Sequence, residues 1–156
     1  QVKLFISSMR LESTYGNKLL EAAASEIEQP LIPFELYEVF EQVGAIASSP
    51  HCSVIMDHEK QVDQVMLLNI KFLLNHIPIL SFNTLKFHIE FFSDVVDQEQ
   101  YNRMNSYNIA VTVGPNIFRP KIARPSDVGK VGIFYDLLIR MINHHQVLFD
   151  KNISCE

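Results

Sequence analysis

The stretch from Asn102 to Pro120 places the strongest constraint on how this 156-residue chain can fold. Within it, Ile109, Val113 and Ile117 recur at four-residue intervals, a spacing that predicts one buried stripe along an α-helix. Ser106 stands just before the apolar run, where a side-chain oxygen can accept the first unpaired backbone N–H groups. The pattern therefore predicts a helix capped by Ser106 with one face in the core.

The dipeptide Gly114-Pro115 interrupts this apolar run near its end. Glycine weakens a helix, and proline lacks the backbone N–H that a helix interior needs, so we expect a kink or a loosened turn there. Asn116 follows at once and is the one polar side chain presented at the predicted break. It is therefore a candidate functional residue.

The rest of the chain also has helical periodicity, and nowhere does an alternating pattern of β-branched residues persist. Pro33 suits the first position of a helix, Ser81 suits a cap, and a loop is expected from Gly44 to Ser53. A long helix is predicted from about residue 54 or 57 to residue 76, and a final one from about 127 to 149. The long helix is expected to turn one apolar set inward: Val62, Val65, Met66, Ile70, Leu73 and Leu74. The fold class predicted is all-α, a helical bundle with short connections.

Composition excludes several classes of function. The net charge of −5 gives no electrostatic case for nucleic acid or anionic lipid. No apolar run approaches the roughly 20 residues that span a bilayer, so we expect no direct membrane insertion. Cys52 and Cys155 are far apart, which favours two free thiols in a reducing compartment, and the expected location is cytoplasmic.

Two stretches resemble the signature of RhoGAP domains, the GTPase-activating domains for Rho-type small G proteins. Residues 102–120 are similar to the family motif N-K-M-x-x-x-N-L-A-x-V-F-G-P-N-L-L-R-P. Residues 30–40 are similar to the family stretch P-L-I-P-x-x-x-Y-x-x-F. The resemblance implies one RhoGAP-type helical domain over residues 1–150, followed by a short tail at 151–156.

The arginine finger of this family lies in a G-[IL]-F-R-x-S-G motif, which these 156 residues do not contain. Two alignments of the first 29 residues remain open. In the favoured one, residues 2–10 form the family's Lys-bearing helix, with Lys3 as the conserved lysine, and residues 11–29 are an insertion. In the other, Arg10 is a degenerate finger and the Lys-bearing helix is deleted. Surface insertions cost a fold little, whereas deletion of a core helix costs much.

The resemblance also implies roles for individual residues. Lys3, Asn116 and Arg119 would contact the partner GTPase, and Arg10 is a weak candidate for the catalytic arginine. Four residues would serve the motif's own structure: Asn108, Gly114, Pro115 and Pro120. The partner would be a Rho-family GTPase of the Rho, Rac or Cdc42 type. No cofactor is expected in this chain, because GTP and Mg²⁺ would belong to the partner.

Three interpretations stay open. The chain is a GTPase-activating domain that binds a GTP-loaded small GTPase and promotes hydrolysis, a catalytically inactive module that binds a small GTPase or another protein, or a helical scaffold that retains only the fold. The motif argues against the scaffold, because packing does not require Asn116, Arg119 and Pro120. It is not itself expected to be an enzyme, and without the finger motif it should accelerate hydrolysis little. His51, Cys52 and His58 match no zinc pattern, so no metal site is predicted.

Overall fold

The computed structural model describes residues 30–47 and 59–150, and within these ranges all regular structure is helical. The prediction of an all-α bundle is therefore confirmed. Within the described residues, seven α-helices and one 3₁₀ turn follow one another: α1 (Phe34–Ala47), α2 (Glu59–Leu74), α3 (Ile79–Val96), α4 (Glu99–Asn102), α5 (Ser106–Ile117), the 3₁₀ turn Pro125–Lys130, α6 (Val131–Asn143) and α7 (His145–Leu148). None of these helices is long and apolar enough to cross a membrane.

Helix α6 lies at the centre of the bundle and packs against α1, α3 and α5. Apolar residues recur at helical spacing along its inward face, so this one helix can bury apolar side chains against three neighbouring helices. The buried members of this face are Phe134, Leu137, Leu138, Met141 and Ile142. On its outer side Arg140 pairs with Asp63 of α2, which ties a fourth helix to the same centre.

Gly44 corrects the prediction of a loop that begins at this residue, because α1 continues through it to Ala47. The glycine is buried against α6, and a Cβ atom there would lie 2.3 Å from Ile133 Cγ2 and 3.2 Å from Leu137 Cδ1. Its missing side chain lets the two helices approach closely. Glycine here marks a packing contact and not a chain break.

Helix α2 ends at Leu74, two residues before the predicted end, and buries a narrower apolar face than predicted. Met66, Ile70 and Leu74 are buried as expected, but Val65 is 58% exposed. Leu68 and Phe72 lie on the same outward side and are also exposed. Apolar residues occupy both sides of this helix, so periodicity alone could not assign the inner one.

Three predicted helix ends differ from the structure by one to several residues. Helix α3 begins at Ile79 after Pro78, so Ser81 lies inside the helix and does not cap it. Helix α1 begins at Phe34, and the Pro33 carbonyl accepts the N–H of Leu36 at 2.9 Å. The predicted last helix is divided into the 3₁₀ turn, α6 and α7, with a break at His144.

Candidate functional site

The first turn of α5 is held by side-chain hydrogen bonds from three polar residues. Asn105, not Ser106, is the N-cap: its Oδ1 accepts the backbone N–H of Asn108 at 2.8 Å. The Asn108 amide in turn donates to the carbonyl of Arg103 at 3.3 Å, where the chain adopts a left-handed φ of 58°. Thr112 Oγ1 donates to the Asn108 carbonyl at 2.8 Å. Polar side chains at the start of α5 thus satisfy backbone groups of the same segment.

Asn102 joins this helix to the one before it. Its Nδ2 donates to the Val95 carbonyl at the end of α3 at 2.7 Å, and its Oδ1 accepts the Met104 N–H at 2.7 Å. One amide therefore satisfies backbone groups on both sides of the α4–α5 connection. The sequence places Asn102 in the motif, but the motif did not predict these two hydrogen bonds. The available signal was its position at a helix end, where amides commonly bond to backbone.

Gly114 and Pro115 do not end the helix, and the predicted kink or loosened turn at these residues stays a prediction. Helix α5 runs through both residues to Ile117, and the Phe118 N–H still donates to the Gly114 carbonyl at 2.9 Å. Gly114 is buried against α6: a Cβ atom would lie 3.1 Å from the Tyr135 ring. Pro115 is exposed, and it removes one backbone donor from the helix without placing its ring in the core.

An aromatic cluster anchors the other end of α5. The Phe118 ring stacks on Phe134 of α6, with ring centres 5.0 Å apart, and meets the edge of Phe40 of α1 at 5.6 Å. Tyr37 completes the cluster against Phe134 at 4.6 Å. All four side chains are buried. Pairs of this kind add to the free energy of burial and fix relative orientation, so the backbone around residues 116–119 is held rigidly.

Arg119 lies directly after this anchor and is half-buried. Its guanidinium sits over the Phe34 ring, 5.8 Å from the ring centre, at the start of α1. A cation over an aromatic face is attracted by the ring's electron density. This contact gives Arg119 a structural role in joining α5 to α1. The half-buried Pro120 follows it and begins the connection to the 3₁₀ turn.

Asn116 differs from the other asparagines of the motif. It lies in the last turn of α5, half-buried, next to Ile117 in the core. Its side chain makes no hydrogen bond to any residue in the described ranges. Within the part of the chain that the structure describes, the donors and acceptor of this amide are therefore available to another molecule.

The electrostatics beside this end of the bundle are set by two carboxylates. Glu41 of α1 pairs with Lys130 at 2.8 Å, and this hydrogen bond raises the pKa of the lysine. The pKa of Tyr37 is also raised, first by burial and then by the negative charges of Asp127 and Glu41. Both shifts favour the protonated side chain in the folded protein.

Lys3 and Arg10, together with the proposed insertion at residues 11–29, lie outside the described residues, as do His51, Cys52 and Cys155. Their predicted roles stay predictions. The described residues do bring Asn116, Arg119 and the start of α1 together at one end of the bundle. Among the same residues no group of three or more His, Cys, Asp or Glu side chains could hold a metal ion.

Comparison with known proteins shows the family to which this helical chain belongs. The family model of the RhoGAP domain matches residues 21–122. Rho GTPase-activating protein 24 of Homo sapiens is 29% identical over 140 residues, which cover 88% of this chain and 17% of that protein. Rho GTPase-activating protein conundrum of Drosophila melanogaster is 30% identical over 111 residues, covering 71% of this chain and 15% of its own length.

Solved structures show the same fold. The BH domain from GRAF, the GTPase regulator associated with focal adhesion kinase, superposes with a TM-score of 0.64 at 16% identity, over 82% of this chain and 61% of that chain. Human Rho GTPase activating protein 15 gives a TM-score of 0.65 at 16% identity, over 80% of this chain and 53% of that chain. The fold class is therefore an all-helical bundle. Because the RhoGAP family model matches residues 21–122, the chain belongs to the RhoGAP domain family.

Proposed function

We propose that this chain is a GTPase-activating domain that binds the GTP-loaded form of a Rho-type small GTPase and promotes its GTP hydrolysis, with the arginine finger missing from these 156 residues. The family match over residues 21–122 is the observation that carries the proposal. The relatives are named Rho GTPase-activating proteins, and the chain spans only about a sixth of their length. The activity and partners of the whole protein are accordingly part of the proposal.

The contact surface proposed is the end of the bundle that carries Asn116. An amide that makes no hydrogen bond to the described residues, next to the Phe118 anchor, suits recognition of a partner's backbone. Preorganisation of this kind lowers the entropy cost of binding. Arg119, which lies over Phe34 three residues after Asn116, is proposed to contact the GTPase as well. Lys3 is the proposed second polar contact.

GTP hydrolysis by small GTPases is accelerated when an arginine supplied by the activator stabilises the charge that develops on the γ-phosphate. These 156 residues contain no G-[IL]-F-R-x-S-G motif. We therefore expect this chain alone to bind the GTP-loaded partner in the micromolar range and to accelerate hydrolysis little. A module that only binds the GTPase is the second candidate function, and the same lack of the motif favours it.

Calorimetric titration separates these functions from a helical scaffold without a GTPase partner. Proteins of the Rho, Rac and Cdc42 types, each loaded with a non-hydrolysable GTP analogue or with GDP, are titrated with the chain. Binding to at least one GTP-analogue form, weaker for GDP, supports the proposal because the switch segments are ordered mainly when the γ-phosphate is present. A folded chain that binds none of them contradicts it.

Single-turnover hydrolysis at saturating chain then tests whether these residues carry a catalytic arginine. We expect little acceleration, and strong acceleration would show that such an arginine is present in this chain. Arg10→Ala tests whether Arg10 is that arginine. Lys3→Ala should weaken binding about five- to a hundredfold, as loss of a hydrogen bond worth about 1–3 kcal/mol would. His51→Ala is the matched control and should leave binding unchanged.

A further inference from the structure

The segment from Arg119 to Lys130 concentrates positive charge in an otherwise acidic chain. It contains four basic residues and one acidic residue, whereas the chain as a whole has 13 basic and 18 acidic residues. Lys121 and Arg124 are exposed, and neither forms an ion pair with the described residues. The chain therefore has a positively charged local surface although its net charge is negative.

The same segment exposes two large aliphatic side chains. Ile122 is 71% exposed and Val128 is 76% exposed. Single exposed apolar residues are common on protein surfaces, but here both belong to one short excursion that also carries the exposed cations. Lys121, Ile122, Arg124 and Val128 together form what we call the basic–apolar loop.

Hydrogen bonds within the basic–apolar loop and contacts at both of its ends hold its backbone in place. The Arg124 N–H donates to Asp127 Oδ2 at 2.8 Å, and the Asp127 N–H donates to the Arg124 carbonyl at 2.9 Å. The Phe118 cluster holds the segment at one end, and the pair of Lys130 with Glu41 holds it at the other. The exposed side chains are therefore presented by a fixed turn, with little ordering left to occur on binding.

We propose that the basic–apolar loop makes a peripheral contact with an anionic lipid surface. Cations are attracted to the negative surface potential of such membranes, and aliphatic side chains beside them can enter the headgroup boundary. Ile122 and Val128 protrude from a turn, which suits a soft lipid surface better than a shape-matched protein pocket. The proposal does not rest on the proposed GTPase activity and involves no membrane-spanning element.

Vesicle co-sedimentation tests the proposal with the whole chain. The probes are phosphatidylcholine vesicles with and without about one third phosphatidylserine, at low and at physiological salt. We expect binding only to the anionic vesicles, weakened by salt because the surface potential is screened within a Debye length of about 8 Å. Absence of binding to anionic vesicles at low salt, by a folded chain, overturns the proposal.

Charge reversal locates the contact. Lys121→Glu and Arg124→Glu should each lower partitioning at least fivefold, since a basic residue near an anionic surface contributes about a factor of five. Arg103→Glu makes the same charge change at the opposite end of α5, about 18 Å away for a 12-residue helix, and is the matched control. Equal losses for Arg103→Glu would show attraction by net charge alone and would contradict a loop contact.

A serine substitution tests the contribution of the aliphatic side chains of the loop separately. Ile122→Ser should weaken vesicle binding at physiological salt, whereas Leu80→Ser, at a residue 78% exposed on α3, should not. If the loop variants leave vesicle binding unchanged but weaken GTPase binding, the loop serves the protein partner and the lipid proposal is wrong.

Discussion

The two ends of α5 are held by different physical means. At its start, the side chains of Asn102, Asn105 and Asn108 form hydrogen bonds with backbone groups of the neighbouring turns. At its end, the anchor is the aromatic cluster around Phe118, and Asn116 makes no hydrogen bond to the described residues. The comparison separates asparagines that build the helix from the one available to a partner, although all four belong to one motif.

The aromatic end should be the most sensitive to truncation. Phe118→Ala removes a buried ring that contacts both Phe40 and Phe134, and we expect a loss of about 3–5 kcal/mol in the free energy of unfolding. Phe87→Ala is the matched control because that ring is 69% exposed, and it should change stability by less than about 0.5 kcal/mol. Denaturant unfolding of both variants provides the measurement. Similar values for the two would mean that the cluster does not anchor α5.

The polar end should respond next. Asn102→Ala leaves the Val95 carbonyl and the Met104 N–H without their partner, and it should cost about 1–3 kcal/mol. Asn83→Ala, at an exposed position of α3, is the control and should have little effect. Equilibrium unfolding in urea compares them. A stability unchanged by Asn102→Ala would show that water replaces both bonds.

A smaller effect distinguishes the two possible caps of α5. Asn105→Ala should cost about 1 kcal/mol, and Asn105→Asp should restore most of it, since either side chain can accept from the Asn108 N–H. Ser106→Ala should change stability little. If Ser106→Ala were the more costly of the two alanine variants, the cap predicted from the sequence would be correct and the observed one wrong.

The smallest effect is expected in alkaline solution. Because the folded pKa of Tyr37 is raised, its contribution to stability is present below the ordinary value of 10.0 and is lost as the pH rises above it. Lys130, whose pKa is also raised, loses its contribution in the same direction. Tyr37→Phe should therefore flatten, without abolishing, the fall in unfolding free energy between about pH 8 and about pH 11. An equally steep fall in the variant would show that the phenol is not responsible.

The sequence predicted much of the fold because helical periodicity reports burial directly. Leu85, Ile89 and Phe92 of α3 and the inner residues of α6 lie where their spacing placed them. Helix ends were less accurate, since Asn105 and Ser106 are equally good caps by residue type. Gly44 was assigned to a loop because its close contact with Ile133 is a tertiary feature that no local pattern contains.

The candidate site was only partly predictable for a related reason. The motif identified Asn116 and Arg119, but nothing in the residue order showed that Arg119 lies over Phe34. Nor could it show which asparagines bond internally, because Asn102, Asn108 and Asn116 are the same residue type at similar helix-end positions. That distinction needs the positions of backbone carbonyls such as those of Val95 and Arg103.

The division among the asparagines is tested most directly by measuring stability and affinity on the same two variants. Asn116→Ala should leave the unfolding free energy within about 0.5 kcal/mol of the parent and weaken binding to a GTP-analogue-loaded Rho-type GTPase about five- to a hundredfold. Asn102→Ala should do the reverse, lowering stability while the fraction that remains folded keeps its affinity. An Asn116→Ala variant that loses stability, or that binds as tightly as the parent, would contradict the account.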